Sequence, residues 1–294
     1  MFFGPAGNSD RFYEEGYKSS VQAPEWLQNM GLTAYEYSFG RGVSISPETA
    51  ARVREEARAH HIAVSVHAPY FINLANPDPE KRENSFRYIL EAARAVQWLG
   101  GERVVVHVGA VLKLDRREAL ANCAEGLREA YRRLSDQGLG ETILCPETMG
   151  CKSQIGDLRE TLELVTLDDR MLPCVDFAHL HALTGGGLQT VEDFTAVLDT
   201  IEQTLGLERA RRMHMHFSTI EFTPAGEKRH RTFAEEKYGP RFELLAPQLH
   251  ARGYHGTVIC ECKGTQADDA RAMLKMWETL DRAKEKAQEE KPLC

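Results

Sequence analysis

Short apolar stretches rich in β-branched residues alternate with amphipathic helical stretches along the whole chain. The short stretches predict eight strands, at residues 1–4, 34–37, 62–67, 103–107, 142–147, 173–176, 212–216 and 257–261. A regular alternation of strand and helix is typical of an α/β fold in which helical crossovers join parallel strands. Eight strands favour closure into a (β/α)8 barrel, the TIM barrel, over an open sheet.

The predicted helices between these strands have recognisable ends. Ser46-Pro47 and Asp78-Pro79 each suit an N-cap followed by the first helical residue, and Gly100 suits the end of the second of these helices. The length of 294 residues fits a single barrel domain over residues 1–294. We expect the charged tail after about residue 282 to be frayed, as chain ends often are.

Composition and charge narrow the classes of function. The chain is 42% hydrophobic, and no apolar run approaches the roughly 18 residues of a membrane span, so we expect no membrane association. The first residues do not resemble a secretory signal, which predicts a protein of the cytoplasm or nucleoid. A net charge of -8 disfavours binding to nucleic acid through overall charge, but it leaves room for a local basic face. A monomer is the simplest expectation, since no predicted helix has a spare apolar stripe.

Side chains that can bind metals end six consecutive predicted strands: His67, His107, Glu147, Asp176, His216 and Glu261. A single histidine at a strand end is more often structural. Carboxylates and imidazoles buried together at the C-terminal mouth of a barrel are costly, however, unless cations neutralise them. Because six ligands exceed the needs of one four-coordinate ion, the sequence predicts two or three divalent ions, Zn²⁺ with Mn²⁺ or Fe²⁺ as alternatives.

The motifs at these strand ends resemble those of the endonuclease IV family of apurinic/apyrimidinic endonucleases, and in particular its archaeal-like members. The matching runs are HAPYFINL (67–74), VHVG (106–109), PET (146–148), VDFAH (175–179), MHFS (215–218) and ICE (259–261). The resemblance implies a metal-dependent phosphodiesterase of DNA base-excision repair. Such an enzyme cuts double-stranded DNA 5′ to an abasic site, leaves a 3′-hydroxyl and a 5′-deoxyribose phosphate, and can trim blocked 3′ ends.

The resemblance also implies how the metals are held. A first ion would take His67, His107 and Glu147, and a second would share Glu147 and take Asp176, His216 and Glu261. Glu147 and Glu261 would be the catalytic carboxylates. His214 remains an alternative to His216, because residues two apart on a strand face the same side, although His216 lies nearer the mouth.

A third ion would take His179 and His230. In the better-known bacterial members an Asp stands two residues before the second of these histidines, and here that position is Lys228. Glu227 is the expected substitute. The geometry of the third position therefore stays open.

DNA contacts are expected from the loops that follow the strands. Tyr70 and Phe71 would insert at the lesion, and Arg41 would enter the gap left by the missing base. Lys228, Arg229 and Arg231 would contact phosphates, although charged runs are often only solvated faces.

Two other functions fit parts of the sequence. Sugar isomerases and epimerases of the xylose-isomerase-like barrel use similar strand-end carboxylates and histidines. Their substrates are free sugars, which give the aromatic pair and the basic residues no obvious use. A DNA-binding homologue that has lost catalysis is the second alternative, and Lys228 at the third metal position is its best support.

Overall fold

The computed structural model describes residues 1–289, with side chains through residue 286. Eight parallel strands make up its centre: β1 Phe2–Pro5, β2 Ala34–Ser38, β3 Ala63–His67, β4 Arg103–Val106, β5 Ile143–Pro146, β6 Cys174–Asp176, β7 His214–Phe217 and β8 Thr257–Cys260. Each coincides with a strand predicted from the sequence. The alternation of short strand-like stretches with helical stretches therefore located the strands of the sheet.

The eight strands close into one ring. Strands β2, β3, β4 and β5 pair in that order, and β1, β8, β7 and β6 form a second parallel arc. Single parallel bridges join the two arcs, one between Ala6 and Glu36 and the other between Glu147 and Cys174. The predicted TIM barrel is confirmed, and the C-terminal ends of all its strands meet at one mouth.

Helices surround the ring: α1 Asp10–Glu14, α2 Ala23–Asn29, α3 Pro47–Ala59, α4 Pro79–Leu99, α5 Arg116–Asp136, α6 Leu158–Val165, α7 Phe177–Leu183, α8 Val191–Leu205, α9 Leu207–Arg211, α10 Phe242–Ala251 and α11 Gln266–Glu289. A 3₁₀ turn spans Ser20–Gln22. The predicted ends of α4 are confirmed, because Asp78 caps its first turn and Gly100 ends it with a φ of 77°. Helix α11 is described as far as Glu289. Residues 290–294, which belong to the tail expected to fray, lie outside the described part.

Two antiparallel strand pairs add to the rim of the mouth, and the second of them is a hairpin. Residues Gly109–Ala110 pair with Gln154–Ile155, and Thr219–Thr223 pair with Gly226–Arg231. The second pairing has a register shift at Glu221 and Phe222. His230, one of the residues predicted for the third ion, lies in this hairpin. Among residues 1–289, none of the helices combines the length and apolar character that crossing a membrane requires.

Outward-facing aromatic residues join the ring to its helices. The rings of Phe217 in β7 and Phe242 in α10 pack edge to face with centroids 5.0 Å apart, and Phe3 in β1 lies 6.2 Å from the same Phe242 ring. All three side chains are buried. Such contacts bury large apolar areas and hold the strands that carry the mouth residues at fixed positions.

Glycine at position 4 allows β1 to approach β2. A β-carbon there would lie 1.8 Å from the carbonyl oxygen of Ala34, so we expect Gly4→Ala to cost about 3 kcal/mol of unfolding free energy. Gly138→Ala is the control: position 138 has a φ of 70° and open space around it, so its cost should stay near 1 kcal/mol. Urea unfolding measures both, and equal losses would contradict the close packing of β1 on β2.

Candidate metal centre

The carboxylate of Glu147, directly after β5, lies at the centre of the mouth and is fully buried. Its Oε2 is 3.2 Å from His67 Nε2 and 3.0 Å from His107 Nε2. These two histidines end or follow neighbouring strands, β3 and β4. The structure therefore brings together the three residues predicted for the first ion, with one ligand atom of each lying within 4.8 Å of the others.

The other oxygen of Glu147 faces the opposite half of the ring. Its Oε1 lies 3.0 Å from His216 Nδ1, and the same nitrogen is 3.2 Å from Glu261 Oε2. Asp176 completes this group, whose four ligand atoms again lie within 4.8 Å of one another. These are the residues predicted for the second ion, and Glu147 is common to both groups.

The charges at the mouth depend on one another. Burial alone would raise the pKa of Glu147, but His216 and His107 outweigh it and hold the pKa well below its ordinary value. Burial would also lower the pKa of His67, yet its contact with Glu147 raises that pKa to about 9. Uncompensated buried charge is costly, so a bound cation or a proton on His67 stabilises the carboxylate of Glu147 beside it.

Asp176 tests whether this arrangement suits cations. Its Oδ1 accepts a hydrogen bond from the backbone N–H of His179 at 2.8 Å. Its Oδ2 is buried and has no hydrogen-bond partner among residues 1–286, and burial raises the pKa of this carboxyl. Such an oxygen is unfavourable in a dry interior unless it binds a cation or takes a proton. The mixture of carboxylate and imidazole ligands fits Zn²⁺, Mn²⁺ or Fe²⁺.

A third group overlaps the second. Ligand atoms of Asp176 and Glu261 also lie within 4.8 Å of those of two histidines. These are His179, in α7, and His230, in the hairpin. Glu227 contacts both histidines, with Oε2 3.1 Å from His179 Nε2 and Oε1 3.7 Å from His230 Nε2. The expected substitute for the absent Asp therefore stands beside the two predicted ligands.

The register shift in the hairpin explains why Glu227 stands beside these two histidines. Glu221 pairs with Arg229 and Phe222 pairs with Glu227, so Lys228 is the extra residue of a bulge. Residues three apart on a regular strand face opposite sides, but the bulge brings Glu227 and His230 to the same side. The Nζ of Lys228 instead lies 2.6 Å from Glu221 Oε1.

The two histidines of β7 have different surroundings. His216 reaches Glu147 and Glu261, whereas the Nε2 of His214 lies 2.9 Å from Glu36 Oε2 one layer deeper in the barrel. Burial lowers the pKa of His214. The structure thus favours His216 over His214 as the neighbour of the central carboxylate, because β7 is oriented with residue 216 nearer the mouth. Sequence reasoning missed Glu36, whose only signal was an acidic residue inside an otherwise apolar strand.

Aromatic side chains project beside the site. Tyr70 and Phe71 are 57% and 60% exposed, and the Tyr70 ring lies 5.9 Å from that of His107. The backbone N–H of Tyr70 donates to Gly40 O at 3.4 Å, which places the adjacent, exposed Arg41 near this loop. A cavity of about 580 Å³ opens here, with Tyr70, His107 and Glu261 in its wall.

The three basic residues of the hairpin all contact one carboxylate, that of Glu221. Besides Lys228, Glu221 contacts Arg229 at 3.3 Å and also contacts Arg231. Arg231 is partly buried and pairs with Glu235 at 2.9 Å as well. Lys228 and Arg229 have exposed side chains. Of the three predicted phosphate contacts, these two are accessible, and Arg231 is engaged within the hairpin.

Comparison with known proteins gives relatives over most of the chain. An uncharacterized protein of Methanocaldococcus jannaschii is 33% identical over 261 residues, covering 89% of this chain and 91% of that protein. A probable endonuclease 4 of Mycoplasmoides gallisepticum is 33% identical over 172 residues, covering 56% of this chain and 53% of that protein. Another, from Shouchella clausii, is 25% identical over 70% of this chain and 72% of that protein.

Solved structures share the fold. Endonuclease IV from Thermus thermophilus aligns with a TM-score of 0.70 at 22% identity, over 95% of this chain and 100% of that one. A D-tagatose 3-epimerase-like protein aligns with a TM-score of 0.69 at 19% identity, over 97% of this chain and 99% of that one. The model of the xylose isomerase-like TIM barrel family matches residues 24–280. The resemblance to endonuclease IV is thus confirmed, and the chain belongs to the xylose isomerase-like TIM barrel family.

Proposed function

We propose that this chain is a metal-dependent phosphodiesterase that cuts double-stranded DNA on the 5′ side of abasic sites and leaves a 3′-hydroxyl and a 5′-deoxyribose phosphate. The observation that carries the proposal is the overlap of three groups of ligands at one mouth. Glu147 belongs to the first two groups, and Asp176 and Glu261 belong to the last two. Sharing these carboxylates would hold two or three divalent ions side by side.

Such a cluster suits phosphodiester hydrolysis. When bound, adjacent divalent ions activate water and stabilise the attacking and leaving oxygens of an in-line displacement at phosphorus. His67, His107 and Glu147 would hold the first ion, and Glu147, Asp176, His216 and Glu261 the second. Glu261, at the wall of the cavity, is placed to orient the reacting groups. The family resemblance supports Zn²⁺ as the metal.

The rim supports DNA with an abasic or 3′-blocked lesion as the substrate. Tyr70 and Phe71 are exposed next to the site, where their rings would replace lost base stacking. Arg41 follows Gly40, which contacts Tyr70, so its side chain can reach the same place. Lys228 and Arg229 would contact phosphates of the same duplex.

A sugar isomerase or epimerase is the second candidate, because epimerases share this fold at similar TM-scores. A reaction on a single sugar requires fewer metal ligands than this mouth provides. His67 and His107 contact Glu147 but do not belong to the second group of ligands. These additional histidines and the exposed aromatic pair favour the phosphodiesterase.

Incision of a duplex carrying one abasic analogue tests the proposal. We expect the zinc-loaded protein to cut 5′ to the analogue. Glu147→Gln should reduce incision by more than about 100-fold, the effect that even outer-shell changes can reach, because it weakens the ligand shared by two ions. Binding of the duplex should persist in this variant. Turnover of ketoses without incision would identify an epimerase, and binding without incision by the metal-loaded wild type would identify an inactive homologue.

The aromatic pair gives a second test. Phe71→Ala should weaken binding to the abasic duplex by about 1–3 kcal/mol, the usual contribution of one stacked base, and should affect an undamaged duplex less. Leu207→Ala is the control, since Leu207 is similarly exposed in α9, which precedes β7 at the opposite end of the barrel. Fluorescence anisotropy measures both. Equal losses in the two variants would contradict insertion at the lesion.

The third position is tested by metal content. We expect the wild type to hold about three equivalents of zinc and Glu227→Gln about two, because Glu227 lies beside His179 and His230. Lys228→Ala should retain the wild-type content, since Lys228 pairs with Glu221. Elemental analysis after dialysis gives the values. A loss in the Lys228 variant alone would contradict the role given to the bulge.

A further inference from the structure

A second polar layer lies beneath the mouth, inside the barrel. It contains Glu36 of β2, Ser65 of β3 and His214 of β7, all buried. Glu36 Oε2 accepts a hydrogen bond from Ser65 Oγ at 2.9 Å and lies 2.9 Å from His214 Nε2. The other oxygen, Oε1, is 3.0 Å from His216 Nε2. One carboxylate therefore connects this layer to a residue of the metal centre.

His216 lies between the two layers with one ring nitrogen toward each. Its Nδ1 faces Glu147 and Glu261, and its Nε2 faces Glu36. Neither this nitrogen nor Glu36 Oε1 has a hydrogen-bond partner among residues 1–286, although the two atoms lie 3.0 Å apart. A buried N–H requires an acceptor, and the carboxylate oxygen 3.0 Å away is the group that would satisfy it.

The other histidines of the centre are held differently. Nδ1 lies close to a neutral oxygen in His67, at 2.8 Å from Ala68 O, and in His230, at 2.7 Å from Ser218 Oγ. In His179 it lies 2.8 Å from Thr148 O and also 3.4 Å from oxygens of Glu147 and Asp176. Each of these leaves Nε2 toward the centre. His216 has the reverse orientation and faces a carboxylate. A carboxylate behind a histidine fixes its tautomer and makes the opposite nitrogen a stronger ligand than a neutral acceptor does.

We propose that Glu36 is a positioning residue for the second metal position, where it holds His216 with Nδ1 toward Glu147 and Glu261. Ser65 and His214 hold Glu36 in turn. The inference rests on the proposed metal centre and adds the residue that orients His216 there. The position that contains His216 binds its ion more tightly than it would without the charge of Glu36.

Competition with a chromophoric chelator tests this role. Glu36→Gln keeps the size of the side chain and removes its charge, so one zinc equivalent should bind about 10–100-fold more weakly. Ser65→Ala is the matched control, because it removes a contact to Glu36 and leaves the charge beside His216; its effect should be smaller. The visible spectrum of the cobalt-substituted protein should change in Glu36→Gln and not in Ser65→Ala. Unchanged zinc affinity and cobalt spectrum in Glu36→Gln would overturn the proposal.

A second measurement uses the wild type and does not depend on the folding of a variant. In the zinc-loaded protein, ¹⁵N NMR of the imidazoles should show His216 protonated at Nε2, and His67 and His230 protonated at Nδ1. The opposite tautomer at His216 would overturn the inference. Loss of one zinc equivalent in Cys174→Ser would also overturn it. Ligand atoms of Cys174, His214 and His216 lie within 4.8 Å of one another, so such a loss would mean that His216 belongs to that group instead.

The two proposals fail in different ways. A wild type that binds no zinc would overturn the metal centre itself. A wild type that binds zinc normally, with Glu36→Gln unchanged, would overturn the role of Glu36 alone. Incision of DNA does not enter either measurement, so the positioning role is tested even if the substrate is a sugar.

Discussion

At the mouth of the barrel, the two oxygens of one buried carboxylate serve opposite halves of the ring. Oε2 of Glu147 meets the histidines that end or follow β3 and β4, and Oε1 meets the histidine of β7. Two of these partners, His67 and His216, lie 80 and 69 residues from Glu147 along the chain, so the contacts depend on closure of the ring. The close approach of β1 to β2 at Gly4 and the aromatic packing against α10 maintain that closure.

Much of this organisation could be predicted because its signals are local. Each strand coincides with a short predicted stretch, and each of the six predicted ligands occurs at or directly after the end of such a stretch. Once the strands are parallel and closed, their ends must meet, so proximity of the ligands follows from topology. The preference for His216 over His214 followed from the same argument, because the residue nearer the end of a strand lies nearer the mouth.

What could not be predicted depends on pairing between distant segments. Glu36 is a single acidic residue in a strand, and its partner His214 comes 178 residues later. Nothing near Glu36 in the sequence shows that its side chain faces a polar interior. Similarly, the place of Glu227 depends on the register of a hairpin. That register follows from the pairing of Glu221 with Arg229 and of Phe222 with Glu227. The three basic residues of that hairpin look alike in sequence, and all three contact Glu221. Arg231 differs from the exposed pair in its lower exposure and its second contact, to Glu235.

The bulge at Lys228 bears on how related chains should be compared. An aligned column that contains Lys in one chain and Asp in another suggests loss of a ligand, and hence loss of activity. When the strand has one extra residue, the acidic group moves one position along the chain while its carboxylate stays beside the same histidines. Spacing along the chain and spacing in the folded protein then disagree. A search for relatives of this kind should therefore accept Glu-x-x-His as well as Asp-x-His at this hairpin.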